Sequence, residues 1–221
     1  EIWQTATPGF CVQAYLRGKK ILDLEVGETF RYYDWASVTK IVMGTTSCMQ
    51  AVDDEVLSLT GLVSQYFPEF KSPYRGELQK FARVRDLLSH SAGMTWWQPF
   101  YQSLDLKLSR AERWLQMRGL LVEAIGSCEK LNQRKSVYSD LDYLILGYIL
   151  EEVREMPLLK IWQDLAERLD LSHTHYHVDN KPKYARKYYA PTENCGFRNK
   201  IVQGEVHDEN AWALGGVAAQ A

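Results

Sequence analysis

Ser37 and Lys40, three positions apart in "DWASVTKIVMGTT", are the first residues whose types and spacing could do chemistry. On a helix, residues three apart share a face, so this spacing sets a hydroxyl beside an amine. A serine hydroxyl is a useful nucleophile only when a neighbour takes its proton, and an amine does so only while neutral. The pattern is short, and a capping serine followed by a surface lysine would look the same.

A second group stands in "SVYSDLDY", where Tyr138, Ser139 and Asp140 precede an apolar, helical stretch. A phenol beside an ammonium can be driven towards phenolate and serve as a general base. Taken alone, a tyrosine before a helix is also an ordinary packed aromatic.

These residues need elements to position them. "GFCVQAYL" and "ILDLEVG" are rich in β-branched and apolar residues and are joined by "RGKK", which predicts a β-hairpin. In "SVTKIVMGTTSCMQAVDD", Val38, Ile41, Val42, Met49 and Val52 recur at helical spacing. Helices are also predicted in "VRDLLSHSAG", "LSRAERWLQMRGLLVEAI", "SDLDYLILGYILEEVRE" and "PLLKIWQDLAERLDL". His173 to Gln203 is polar and turn-rich and reads as a surface excursion with a strand or two, its Tyr184, Tyr188 and Tyr189 in a solvated loop. The expected division is residues 1–50 as the first part of an α/β domain, 51–172 as a mostly helical domain, and 173–221 as an irregular segment leading back towards the sheet. A lone hairpin is marginal in water, so its sheet partners are expected in chain beyond Ala221.

The 221 residues are 46% hydrophobic, enough to bury a core, and 26 Lys and Arg against 28 Asp and Glu give a net charge of -2. With no run of one sign, nothing marks a nucleic-acid partner, and no apolar run is long enough to span a bilayer. A small-molecule substrate is the expected partner. Cys11, Cys48, Cys128 and Cys195 show no ligand spacing. His173, His175 and His177 alternate, as metal ligands on one face of a strand would, but lack a fourth ligand. No metal is expected.

Taken in order along the chain, these stretches resemble the serine β-lactamase and penicillin-binding-protein superfamily, nearest its class C-like esterase and D,D-peptidase members. "PGFCVQAYLRGKKILDLEVG" is similar to the family's opening hairpin, "WASVTK" to its Ser-x-x-Lys helix start, and "VSQYFPEF" and "VRDLLSHSAGM" to two structural landmarks. "VYSDLDY" is similar to its Tyr-x-Asn element and "VHDENAWALGG" to a stretch of an esterase-like branch.

The resemblance implies a β-lactamase-like fold of α/β plus all-α type: an antiparallel sheet with flanking helices and a helical insert domain, here without its last strands. It implies a hydrolase that is acylated on Ser37, assisted by Lys40, with Tyr138 as base or proton relay and Ser139 and Asp140 towards the substrate. The oxyanion would sit on the Ser37 N–H and a second N–H from a later strand. No cofactor is implied. The substrate would be a small ester, a β-lactam or a D-amino-acid peptide, with an esterase or D,D-peptidase preferred. A periplasmic or secreted location is implied, with a cytoplasmic one left open. The competing reading is a catalytically silent relative that binds peptidoglycan fragments or a protein partner.

Several residues depart from the family pattern or stand outside it. Asp140 stands where many relatives carry asparagine, and a carboxylate accepts hydrogen bonds but donates none. It is expected to pair with Lys40 and keep it protonated, moving the base role to Tyr138. No Lys-Thr-Gly or His-x-Gly occurs, and Ala219 and Gln220 replace the glycine and histidine of the esterase-like branch. His90, at a family landmark, reads as a structural histidine. His207 and Asp208 could suggest a triad with Ser37, which lysine and tyrosine make unnecessary. Trp96, Trp97, Phe100 and Tyr101 read equally as a substrate wall or a core contact.

Overall fold

In the computed structural model, which describes residues 7–71, 81–127 and 136–221, the predicted hairpin is present. Strands β1 (Gly9–Leu16) and β2 (Lys19–Gly27) pair antiparallel from Gly9 opposite Gly27 to Leu16 opposite Lys19. Arg17 and Gly18 between them have φ of 50° and 77°. Two positive values in a two-residue loop make the turn whose twist matches the strands, and glycine takes the second at no steric cost. Strands β3 (Pro191–Cys195) and β4 (Lys200–Gln203) form a second antiparallel pair. Of the three tyrosines expected in a solvated loop, Tyr188 is exposed, but Tyr184 and Tyr189 pack: Tyr32 stacks on Tyr184 at 4.9 Å and on Tyr189 at 5.1 Å between ring centroids. Their flat faces bury against each other rather than standing in water.

The hairpins lie in one compact unit, Glu1–Asp34 with Tyr184–Gly204, and the helices in another, Trp35–Lys183 with Glu205–Ala221. In the second unit, wide i→i+5 turns over Lys40–Thr45 run directly into helix α1 (Thr46–Asp53). Such turns are uncommon and cluster at functional sites. Then come α2 (Val63–Tyr66), α3 (Val84–Leu88), α4 (Arg110–Ser127), α5 (Asp140–Arg154), α6 (Leu158–Arg168) and α7 (Glu209–Ala213).

Helix α5 is the axis of this unit. Its Leu141, Leu144, Ile145, Leu146, Ile149 and Leu150 are fully buried, and α1, α3 and α6 pack against it. A helix apolar on every side must be enclosed in this way. Ser139 starts it, accepting the Asp142 N–H at 3.3 Å, and Glu155, at φ 52°, ends it before Pro157. The wide turns meet α5 at Gly44, where a Cβ would fall 2.8 Å from the Tyr143 ring. Only a residue without one allows that approach.

The segment carrying Ser37 and Lys40 belongs to the helical unit. The tail beyond α7 turns inward through Gly215 and Gly216, and Ala218 to Gln220 are buried. At Gly216, φ is 76° and a Cβ would stand 2.1 Å from the His177 carbonyl oxygen, so glycine is required there. Tyr176 ties the tail down by donating to the Ala218 carbonyl at 2.6 Å.

His173 to His177 run in irregular backbone instead of a strand, and the rings of His175 and His177 meet edge to face at 5.5 Å. Burial, then the neighbouring His177, pushes His175 down to about 4. Cys11, Cys48 and Cys195 are free thiols, with Cys48 pushed up to about 12 by burial; Cys128 lies outside the described residues. No helix among the described residues is long and apolar enough to cross a membrane.

Candidate active site

Ser37 sits in the turn that opens the helical segment. The preceding Ala36 has φ of 45°, a left-handed conformation that costs an alanine about 1 kcal/mol. The hydroxyl is presented at the surface, while Lys40, one turn on, is only 3% exposed. The three-residue spacing therefore places an exposed oxygen beside a buried amine, with Lys40 Nζ 3.0 Å from Ser37 Oγ.

Burying a charge is costly unless partners replace water. Lys40 has three: besides Ser37 Oγ, its Nζ lies 2.6 Å from Asp140 Oδ1 and 2.8 Å from the Gln220 carbonyl oxygen. Two of these oxygens accept hydrogen bonds from Nζ, and the Asp140 carboxylate completes the surroundings as an ion pair. So held, Lys40 donates to Ser37 Oγ rather than accepting the serine proton.

The group free to exchange that proton is Tyr138. Its phenol oxygen lies 2.6 Å from Ser37 Oγ, and its side is half exposed, open to an incoming molecule. Lys40 Nζ stands 5.0 Å from the centroid of the Tyr138 ring. The hydroxyl thus lies within hydrogen-bond reach of both a phenol and an ammonium, the arrangement of an activated nucleophile. Among the described residues no acceptor takes the Ser37 N–H, which leaves that donor for a developing oxyanion.

The structure brings Ser37, Lys40, Tyr138 and Asp140 together; Ser139 it places differently. Ser139 is 0% exposed, and its hydroxyl donates to the Thr95 carbonyl at 2.7 Å while accepting the Asp142 N–H. It caps α5 and has no face towards a substrate. The aromatic cluster divides: Phe100 enters the core, while Trp96 is exposed and its carbonyl accepts the Asp140 N–H at 2.9 Å. Asp208 caps α7 by accepting the Ala211 N–H at 2.7 Å and receives a bond from Gln220 Nε2 at 3.3 Å. Burial, with a smaller push from nearby Asp140, raises its carboxyl to about 6.

Sequence reasoning missed Gln220 because it acts through its backbone carbonyl, which every residue carries. It also missed Asp142, which lies 3.3 Å from His90 Nδ1 and is raised to about 7 by burial. For Asp142 a signal existed, since a serine followed three residues later by an acidic side chain before an apolar run marks a helix start.

The family model described as Beta-lactamase matches residues 2–221. A protein of Salmonella agona (strain SL483) named "Putative D-alanyl-D-alanine carboxypeptidase" is 30% identical over 206 residues, covering 86% of this chain and 46% of its own length. The chain thus spans about half the length of the curated relatives it matches. Among solved structures, a beta-lactamase/D-alanine carboxypeptidase from Pseudomonas syringae superimposes with a TM-score of 0.67 at 18% identity, over 99% of this chain and 59% of that one. An octameric penicillin-binding protein homologue from Pyrococcus abyssi gives 0.68 at 15% identity, over 99% and 50%. The β-lactamase-like fold is therefore shared.

Proposed function

The chain belongs to the Beta-lactamase family, and from that premise we propose that it is a serine hydrolase working through an acyl-enzyme on Ser37. The observation that carries this reading is the convergence of the Tyr138 phenol and the Lys40 ammonium on the Ser37 hydroxyl, at 2.6 and 3.0 Å.

In the reaction, Ser37 Oγ bonds to the acyl carbon while its proton passes to an ionised Tyr138. The carbonyl oxygen becomes an oxyanion facing the Ser37 N–H, and the ammonium of Lys40 supplies a fixed positive charge beside the reacting oxygens. Collapse breaks the bond to the leaving group, which departs with the proton from Tyr138. Water then attacks the ester and gives its proton to Tyr138, and the acid leaves as Ser37 Oγ recovers a proton. Asp140 keeps Lys40 in its cationic form throughout.

The substrate class is a small ester or a D-amino-acid peptide in preference to a β-lactam. The carboxypeptidase name of the Salmonella relatives supports the peptide, and exposed Trp96 beside Asp140 offers an apolar wall. The test is covalent. A fluorophosphonate or a fluorescent penicillin should add its mass to Ser37 in the full-length protein and add none after Ser37→Ala. An unmodified Ser37 with both reagents overturns the hydrolase reading and favours the silent binder of peptidoglycan fragments.

A further inference from the structure

Tyr138 is half exposed, yet its phenol stands at 2.6 Å from the serine hydroxyl, so something must hold it. The residues on either side of it are both bound to one histidine. Val137 N–H donates to the His90 carbonyl at 2.8 Å, and Ser139 N–H donates to His90 Nδ1 at 3.2 Å. The His90 ring lies under the phenol, 4.7 Å between centroids and tilted by 47°. We infer that His90 is a positioning residue for Tyr138, clamping the backbone on both sides of it and blocking one side of its ring.

Local geometry shows how one residue does this. His90 has φ of 56°, a left-handed conformation that histidine and asparagine adopt more readily than most residues. That turn aims its carbonyl and its ring at the same neighbouring segment, Val137 to Ser139. Because Ser139 N–H donates to Nδ1, that nitrogen presents a lone pair and the ring proton sits on Nε2. Asp142 Oδ2 lies 3.3 Å from the same nitrogen, and burial raises its carboxyl to about 7. Tyr143 packs against the ring at 5.3 Å. The imidazole is thus committed on three sides and acts only through Tyr138.

This assignment rests on the acyl-transfer reading, and two readouts separate them. His90→Gly keeps the left-handed turn but removes the acceptor and the ring; His90→Asn keeps the turn and an acceptor oxygen near the place of Nδ1. In the full-length protein, fluorophosphonate labelling of Ser37 should slow by about 100-fold in His90→Gly, the cost of a misplacement near 1 Å, and recover by at least tenfold in His90→Asn. The residual cost in His90→Asn should vanish in a Tyr138→Phe background, since a residue acting through the phenol has nothing left to position. Labelling of both variants at the wild-type rate, or an equal cost with and without the phenol, overturns the assignment. If His90→Gly does not fold, the His90→Asn and Tyr138→Phe cycle decides alone. Amide hydrogen exchange reads the clamp without activity: Ser139 should exchange faster in His90→Gly and stay protected in His90→Asn. Unchanged protection overturns the clamp even if Ser37 labels, and a wild-type Ser37 that never labels overturns the hydrolase reading while exchange still decides the clamp.

Discussion

Tyr138 Oη and Ser37 Oγ stand 2.6 Å apart across 101 residues of sequence. That closeness is set by the packing of α5 against the segment that carries the serine, not by local sequence. Removing the phenol should leave the fold and lose the proton relay: Tyr138→Phe should slow acylation of Ser37 by about 10²–10⁴-fold. Mass spectrometry of label gained with time checks it. A rate within threefold of wild type would transfer the base role away from the phenol.

The buried ion pair gives a prediction with two halves. Lys40→Met leaves the Asp140 carboxylate with its cation gone, which should destabilise the protein by about 3 kcal/mol. Adding Asp140→Asn should recover much of that stability without restoring acylation, because the charge beside the serine is still missing. Denaturant melts of the two variants check the first half and labelling the second. Asp140→Asn alone should change the pH–rate profile of acylation; an unaltered profile would break the proposed link between carboxylate and amine.

Ser139, placed towards the substrate by resemblance, instead caps α5. Ser139→Ala should cost about 1–2 kcal/mol of stability, seen as a lower Tm. Its effect on KM should be small, because the hydroxyl faces the Thr95 carbonyl. A raised KM with unchanged Tm would return this residue to the substrate side.

Asp142 predicts a pH dependence of stability. Burial raises its folded carboxyl to about 7, above the ordinary carboxylate range. Between about pH 4 and 7 the folded state holds a proton that the unfolded chain has released, so stability falls with rising pH by up to about 1.4 kcal/mol per unit. Asp142→Asn mimics the protonated form and should match wild type near pH 4 while exceeding it at pH 8. His90, which faces this carboxyl, and Asp208, raised to about 6, remain in both proteins, so the difference reports Asp142. Parallel Tm curves from pH 4 to 8 would refute it.

Gly44 packs where a side chain would strike Tyr143. Gly44→Ala should therefore cost about 1–3 kcal/mol by overpacking. It should also disturb Lys40, which lies in the same wide turns.

Much of this arrangement is legible in the sequence, for identifiable reasons. The hairpin announced itself through β-branched runs around Arg17 and Gly18, and α4, α5 and α6 through helical periodicity. The spacing of Ser37 and Lys40 put them on one face but fitted a helix cap equally well, so their pairing with Tyr138, far along the chain, needed a family pattern. The wide turns at Lys40–Thr45 had no signature, because they arise from packing against α5 rather than from local preference. The stacking of Tyr32 on Tyr184 and Tyr189 was hidden for the same reason: partners distant in sequence carry no mark of each other.

The inward-turned tail has a last consequence. One of the three contacts that steady the Lys40 charge is a peptide carbonyl, that of Gln220. Exchanging the side chain there leaves the contact intact, whereas lengthening or shortening the stretch between Gly216 and Gln220 by a single residue would carry the carbonyl away. Alignments scored by residue identity are blind to this constraint; loop length preserves it.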